Sequence, residues 1–241
     1  STFLQRGYDN IVHDVAIQSL PVIFAMDRAG LVGEDGETHA GLYDIAYMLA
    51  VPNMVVTAPK DGAELVGLLR TALAHESGPF AFRYPRDVPP DLVPHAKDVP
   101  AVPPGTWEVL RRGEKVAILA VGTMVGESLK AADALAAEGL PVTVVNCRYL
   151  KPYDATTLTA LLATHQQLLV VEEGTVVNGF GAFMASVVAA HDPSVRVHAL
   201  GVPDQIVYAA SRPRQLALCG IDAAGIAARV RALHETEALA G

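Results

Sequence analysis

Apolar positions along the chain switch between a helical and a strand period. In "FLQRGYDNIVHDVAIQ" (3–18), Leu4, Tyr8, Ile11, Val12 and Val15 recur at three- and four-residue spacing, which predicts an amphipathic helix. Leu20-Pro21 ends it, and "VIFAM" is a short apolar run suited to a buried strand. The polar, glycine-rich "DRAGLVGEDGETHAG" (27–41) follows and belongs to neither period. "GLYDIAYMLA" predicts a helix with Leu42, Ile45, Ala46 and Leu49 on one face, and "NMVVTAP" a strand stopped by proline. "DGAELVGLLRTALAHE" predicts a helix capped by Asp61, and "GPFAFRYP" a further strand.

Between residues 88 and 104 the periodicity stops. Proline fixes φ and removes backbone donors, so this proline-rich stretch predicts an extended linker. The pattern restarts with "KVAILAVG", a continuous apolar run fit for a central parallel strand. A helix over about 126–138, the strand "PVTVVNCRY", the helix "DATTLTALLATH", the strand "QLLVVEE", the helix "GAFMASVVAAH" and the strand "VRVHALG" follow, and two short helical patterns close the chain. Strands alternating with helices of this length predict an α/β fold of βαβ units on mostly parallel sheets. The expected division is 1–87, a linker at 88–104, and 105–241, with no internal repeat.

Composition narrows the class. Hydrophobic residues make up 51% and charged residues 18%, enough apolar material for packed cores. Eighteen basic against 26 acidic residues give a net charge of -8, a poor match for nucleic acid or an anionic membrane surface. A local basic cluster remains able to take a small phosphorylated molecule. No apolar run approaches the ~20 residues that span a bilayer, and no signal peptide pattern opens the chain. Cys147 and Cys219 are far apart in apolar surroundings, which predicts buried free thiols and a reducing, cytoplasmic setting.

The polar loop is the first candidate for chemistry. It leaves the end of a strand, where open α/β sheets bind ligands. Asp27 and Arg28 stand at the strand end. Asp35 and His39 lie four apart among glycines, which permit sharp turns and close approach. A carboxylate with an imidazole suits proton transfer near neutral pH. A solvated surface loop with an Arg28–acid ion pair fits the same residues. "FRYPRD" places Arg83 and Arg86 at a second strand end. Arg28 and Arg86 would meet there as a phosphate clamp, unless either pairs with Asp27 or Asp87. "VVNGFGAFMAS" holds only a partial G-x-G-x-x-G, and packing of a helix on the sheet explains it better than a dinucleotide. No P-loop appears, and the histidines show no metal-ligand spacing. Phe3 and Tyr8 read by default as a core stripe.

Taken together, "STFLQRGYDNIVHDVAIQSLPVIFAMDRAGLVGEDGETHAG", "FRYPR", "GTMVGESLKAADAL", "NCRYLKPYD" and "VVEEGTVVNGFG" resemble the 1-deoxy-D-xylulose 5-phosphate synthases, within the transketolase-like, thiamine-diphosphate-dependent group. The resemblance covers essentially the whole chain. It implies the latter part of a pyrimidine-binding domain followed by a transketolase C-terminal domain, both rich in parallel sheet. The implied reaction condenses pyruvate with D-glyceraldehyde 3-phosphate, with loss of carbon dioxide, to 1-deoxy-D-xylulose 5-phosphate. The cofactors implied are thiamine diphosphate and Mg2+. The metal and diphosphate belong to an N-terminal domain outside this sequence, as does the glutamate that activates the cofactor. Inactivity without the N-terminal part is therefore expected, and the resemblance implies a homodimer of the complete enzyme.

By the same resemblance, Phe3 packs on the aminopyrimidine ring. Arg28 and Arg86 hold the acceptor phosphate, His39 serves proton transfer at the acceptor aldehyde, and Asp35 orients the acceptor or gates the preceding step. Arg6 is a further active-site arginine. Two alternatives stay open: a separately encoded transketolase C-terminal half, and a non-catalytic α/β assembly module.

Overall fold

The structure, a computed structural model, describes residues 1–88 and 95–238. Its strands are β1 (Ile23–Met26), β2 (Val55–Thr57), β3 (Phe80–Arg83), β4 (Glu108–Arg111), β5 (Val116–Ala120), β6 (Thr143–Asn146), β7 (Tyr149–Lys151), β8 (Gln167–Thr175) and β9 (Arg196–Val202). Its α-helices are α1 (Tyr8–Asn10), α2 (Asp44–Ala50), α3 (Gly62–Leu73), α4 (Met124–Ala137), α5 (Ala155–Leu162), α6 (Phe180–His191), α7 (Arg212–Cys219) and α8 (Ala223–Ala238). The strands form two sheets, ordered β1-β3-β2-β7 and β4-β6-β5-β8-β9. All neighbours are parallel except β2/β7 and β4/β6. This is the α/β fold expected from the alternation of periods.

The apolar run at β5 becomes the centre of the second sheet, buried along its whole length. Successive strand residues face opposite ways. Val116, Ile118 and Ala120 therefore enter one core with α4 and α8, and Ala117 and Leu119 enter the other. That second core also takes Ile45, Met48, Val56, Phe80 and Phe82, so one hydrophobic mass lies between the two sheets. Side chains cap two of the predicted helices: Glu64 N donates to Asp61 Oδ1 (2.7 Å), and Thr157 N to Asp154 Oδ1 (2.9 Å).

Two expectations need revision. The opening segment is not a single α-helix; it winds as 3-10 over Thr2–Gly7, passes through α1 and becomes a π-helix over Ile11–Ala16. Gly7, a poor helix former, stands where the winding changes. "PVTVVNCRY" is not one strand. It divides into β6 in the second sheet and β7, which crosses to pair antiparallel with β2 in the first. Polar groups hold the crossing: Asn146 Nδ2 donates to Glu64 Oε1 (2.8 Å) and Arg148 Nε to Thr106 O (2.9 Å). The expected linker falls partly on 89–94, outside the described residues. Its later part docks on α3, where Val102 N donates to Gly67 O (3.3 Å) and Thr71 Oγ1 to Val102 O (2.7 Å). A Cβ on Gly67 would lie 2.9 Å from Pro100 O, so a side chain there would push this segment away. Among the described residues no helix is long and apolar enough to cross a membrane.

Candidate active site

The site grows from the carboxyl edge of the first sheet. β1 and β3 are adjacent and parallel, with Met26 opposite Arg83. Their pairing continues past the strands: Tyr84 N donates to Met26 O (2.9 Å) and Ala29 N to Tyr84 O (3.0 Å). This carries Arg28 and Arg86 out at the same edge. They meet on one carboxylate, with Asp35 Oδ2 at 3.5 Å from Arg28 Nε and 3.2 Å from Arg86 Nε. Arg28 Nη1 also donates to Asp27 Oδ2 (2.7 Å). Arg28 has φ +53°, a left-handed conformation that costs a non-glycine residue about 1 kcal/mol and turns the chain sharply into the loop.

The loop closes where Gly30 and Gly41 exchange backbone hydrogen bonds (2.8 and 2.9 Å). Gly30 has φ +84°, and a Cβ there would fall 2.7 Å from the Glu173 carboxyl carbon, so only glycine fits. A 3-10 turn over Gly33–Asp35 presents Asp35. The chain turns again at His39 N→Gly36 O (3.1 Å). The His39 Nδ1 lies 2.9 Å from Thr38 Oγ1. Its ring stands edge-on to Phe3, with centroids 5.4 Å apart and planes at 85°.

Phe3 is 67% exposed, so it is not part of a core stripe as the default reading held. It leaves ring surface open beside the loop. Tyr8 does pack, edge-on to Tyr47 at 5.4 Å. Arg6 is exposed on the same opening segment and makes no ion pair among the described residues. Among those residues no group of three or more His, Cys, Asp or Glu is placed to hold a metal ion. Two contact groups thus emerge, Arg28–Asp35–Arg86 and Phe3–His39, with the loop carrying a member of each.

Beneath the loop lies a buried charged layer that sequence reasoning did not single out. Arg83, expected as a basic point of the site, is buried and turned to structural partners. Its Nε donates to Asp44 Oδ2 (2.9 Å), and its Nη2 to Gly41 O (3.2 Å) and Glu173 O (3.1 Å). Leu31 N donates to Glu173 Oε1 (2.9 Å) and Gly33 N to Gln215 Oε1 (2.9 Å). Arg212 grips Glu173 with Nε and Nη2, and Asp87 with Nη1 at 3.2 Å. Asp87 therefore serves Arg212 and leaves Arg86 to Asp35. The available signal was a pair of acids inside the apolar run "LLVVEE", since buried carboxylates require partners.

The partial glycine motif has a packing role. Glu172 accepts from Phe180 N (2.9 Å) and Gly181 N (2.8 Å) at the start of α6. A Cβ on Gly181 would meet that of Ala199 at 2.6 Å. Burial pushes the Glu172 carboxyl up to about 7, against the pull of the two amides and Arg83.

Comparison with known proteins agrees with this architecture. The transketolase pyrimidine binding domain matches residues 1–90, and the transketolase C-terminal domain matches residues 105–226. The chain is 46% identical over 241 residues to 1-deoxy-D-xylulose-5-phosphate synthase of Synechococcus sp. (strain JA-2-3B'a(2-13)), covering 100% of this chain and 37% of that protein. It is 48% identical over 236 residues to the synthase of Ralstonia nicotianae, covering 96% of this chain and 36% of that one. The chain thus spans little more than a third of these relatives. Among solved structures, a split gene transketolase described as an inactive beta4 tetramer superposes with TM-score 0.83 at 29% identity, over 95% of this chain and 72% of that one. A Pichia stipitis transketolase mutant superposes with TM-score 0.72 at 19% identity, over 95% and 32%, which shows the fold alone. The chain belongs to the transketolase family, of which it carries the pyrimidine-binding and C-terminal domains.

Proposed function

We propose that the chain is the acceptor-binding part of a thiamine-diphosphate-dependent synthase that condenses pyruvate with D-glyceraldehyde 3-phosphate, releasing carbon dioxide and forming 1-deoxy-D-xylulose 5-phosphate. The observation that carries this reading is the convergence of Arg28 and Arg86 on Asp35 at the carboxyl edge of the first sheet. Two guanidinium forks around one anion match a phosphate monoester. Both pairs with Asp35 are partly exposed and so individually weak, which leaves the clamp open to a dianion.

The remaining roles follow from position. Phe3 offers a ring face to the aminopyrimidine. His39, turned edge-on to it, delivers a proton to the acceptor aldehyde oxygen as the carbon–carbon bond forms. Asp35, released from the arginines by phosphate, orients the acceptor hydroxyls, and Arg6 borders the same opening. Holding the phosphate far from the reacting carbon spends remote binding energy on orientation. When bound, thiamine diphosphate supplies the nucleophilic carbon that carries pyruvate through decarboxylation. Its diphosphate and Mg2+ belong to the N-terminal part, which the chain needs for activity. In this reading residues 1–87 supply the site, 88–104 link, 105–241 support, and the complete enzyme is a cytoplasmic homodimer.

The likeness to a split gene transketolase favours one second reading, a separately encoded transketolase half that uses ketose donors without decarboxylation. Assay of the complete enzyme for carbon dioxide release from pyruvate decides between them. Release that depends on glyceraldehyde 3-phosphate supports the synthase. Turnover of ketose donors with no release overturns it.

A further inference from the structure

Between the Gly30–Gly41 closure and the turn at Asp35, the acceptor loop has few backbone partners of its own. Two of its buried amides are satisfied by side chains from the other sheet's layer, Leu31 N by Glu173 of β8 and Gly33 N by Gln215 of α7. Gln215 is 1% exposed and uses its whole amide. Oε1 accepts from Gly33 N, while Nε2 donates to Gly33 O (3.3 Å) and Tyr208 O (3.0 Å). Gly33 opens the 3-10 turn, and the same Gly33 O accepts from Gly36 N (3.3 Å). The Gln215 amide therefore sets the height and tilt of the turn that aims Asp35 at Arg28 and Arg86. Glu173 is itself held rigidly, by Arg212 and by Thr123 Oγ1 (2.9 Å).

We infer that Gln215, together with Glu173, is a positioning residue for the acceptor step. The C-terminal domain then selects the phosphorylated acceptor as well as stabilising the assembly. The inference rests on the proposed acceptor site, and its mechanism is local. Without the Gln215 amide, Gly33 N and O lose buried partners, the turn drifts, and the carboxylate no longer balances the two arginines.

The test is Gln215→Met in the complete enzyme, beside Gln167→Met as a control. Gln167 is a buried glutamine whose Nε2 donates to Leu233 O, remote from the loop. Gln215→Met is expected to raise the KM for glyceraldehyde 3-phosphate about tenfold, leave the KM for pyruvate within about twofold, and speed hydrogen exchange at the Gly33 amide about tenfold. Gln167→Met is expected to lower thermal stability without that split. Equal changes for both substrates, or unaltered exchange at Gly33, would overturn the inference. Gln215→Ala, which also removes both halves of the amide, carries the same test should the methionine variant not fold. A wild-type enzyme that released no carbon dioxide would sink the synthase reading, while the exchange measurement would still decide whether Gln215 holds the turn.

Discussion

Arg83 and Arg86 stand three residues apart and do opposite work. Arg83 closes a buried pair with Asp44 and two backbone carbonyls, whereas Arg86 is about half exposed and shares a carboxylate. Removing one member of a buried pair strands the other charge. Arg83→Met is therefore expected to cost about 3–5 kcal/mol of stability. Arg86→Met is expected to cost no more than about 1 kcal/mol. Urea midpoints of the two variants check this, and equal losses would contradict it. His39 makes a different prediction. It touches Thr38 and Phe3 and supports little of the fold, so His39→Ala should leave stability nearly unchanged. In the complete enzyme it should lower kcat about 10²-fold while the acceptor KM stays within about threefold. Steady-state kinetics decide, and an unchanged kcat would remove His39 from proton transfer.

At the scale of the element, α6 shows why the glycine motif misleads. Its first amides are satisfied by Glu172 from the neighbouring strand, so they have no need of a ligand phosphate. The Glu172 carboxyl, ordinarily near 4.5, rises to about 7 on folding. The folded chain then binds the proton more tightly than the unfolded chain across that interval. The stabilisation is fully present below about pH 4.5 and lost as pH rises through 7. Glu172→Gln removes this titration. The stability of wild type relative to the variant should therefore fall between pH 5 and pH 8, by at most about 3 kcal/mol. Any fixed cost of an amide facing an N–H affects both pH values alike. Denaturation curves of both proteins at the two pH values test it, and a constant difference would contradict it.

Elements whose signal is local were legible from the chain, among them the Asp61 cap, the β5 run and the strand ends bearing Arg28 and Arg86. The β6–β7 split was not, because "PVTVVNCRY" is apolar throughout and period alone does not show which sheet each half joins. The opening segment has helical periodicity whether it winds as 3-10, α or π.

At the scale of the molecule, the two sheets share one core and β7 belongs by pairing to the sheet it does not follow in sequence. The meeting of Arg28 and Arg86 at one sheet edge was legible from strand ends and residue types. The support beneath it was not, since Glu173 and Gln215 reach the loop from more than 140 positions away and Arg212 acts through Glu173. The central claim is that Arg28 and Arg86 form a phosphate clamp within a decarboxylating synthase. The most direct test compares kcat/KM for glyceraldehyde 3-phosphate with that for unphosphorylated glyceraldehyde, in the complete enzyme and in its Arg28→Ala and Arg86→Ala variants. The clamp predicts that each variant loses about 10–100-fold on the phosphorylated acceptor, as for a charge-assisted hydrogen bond, and changes little on glyceraldehyde or in the KM for pyruvate. Equal losses on both acceptors would contradict it.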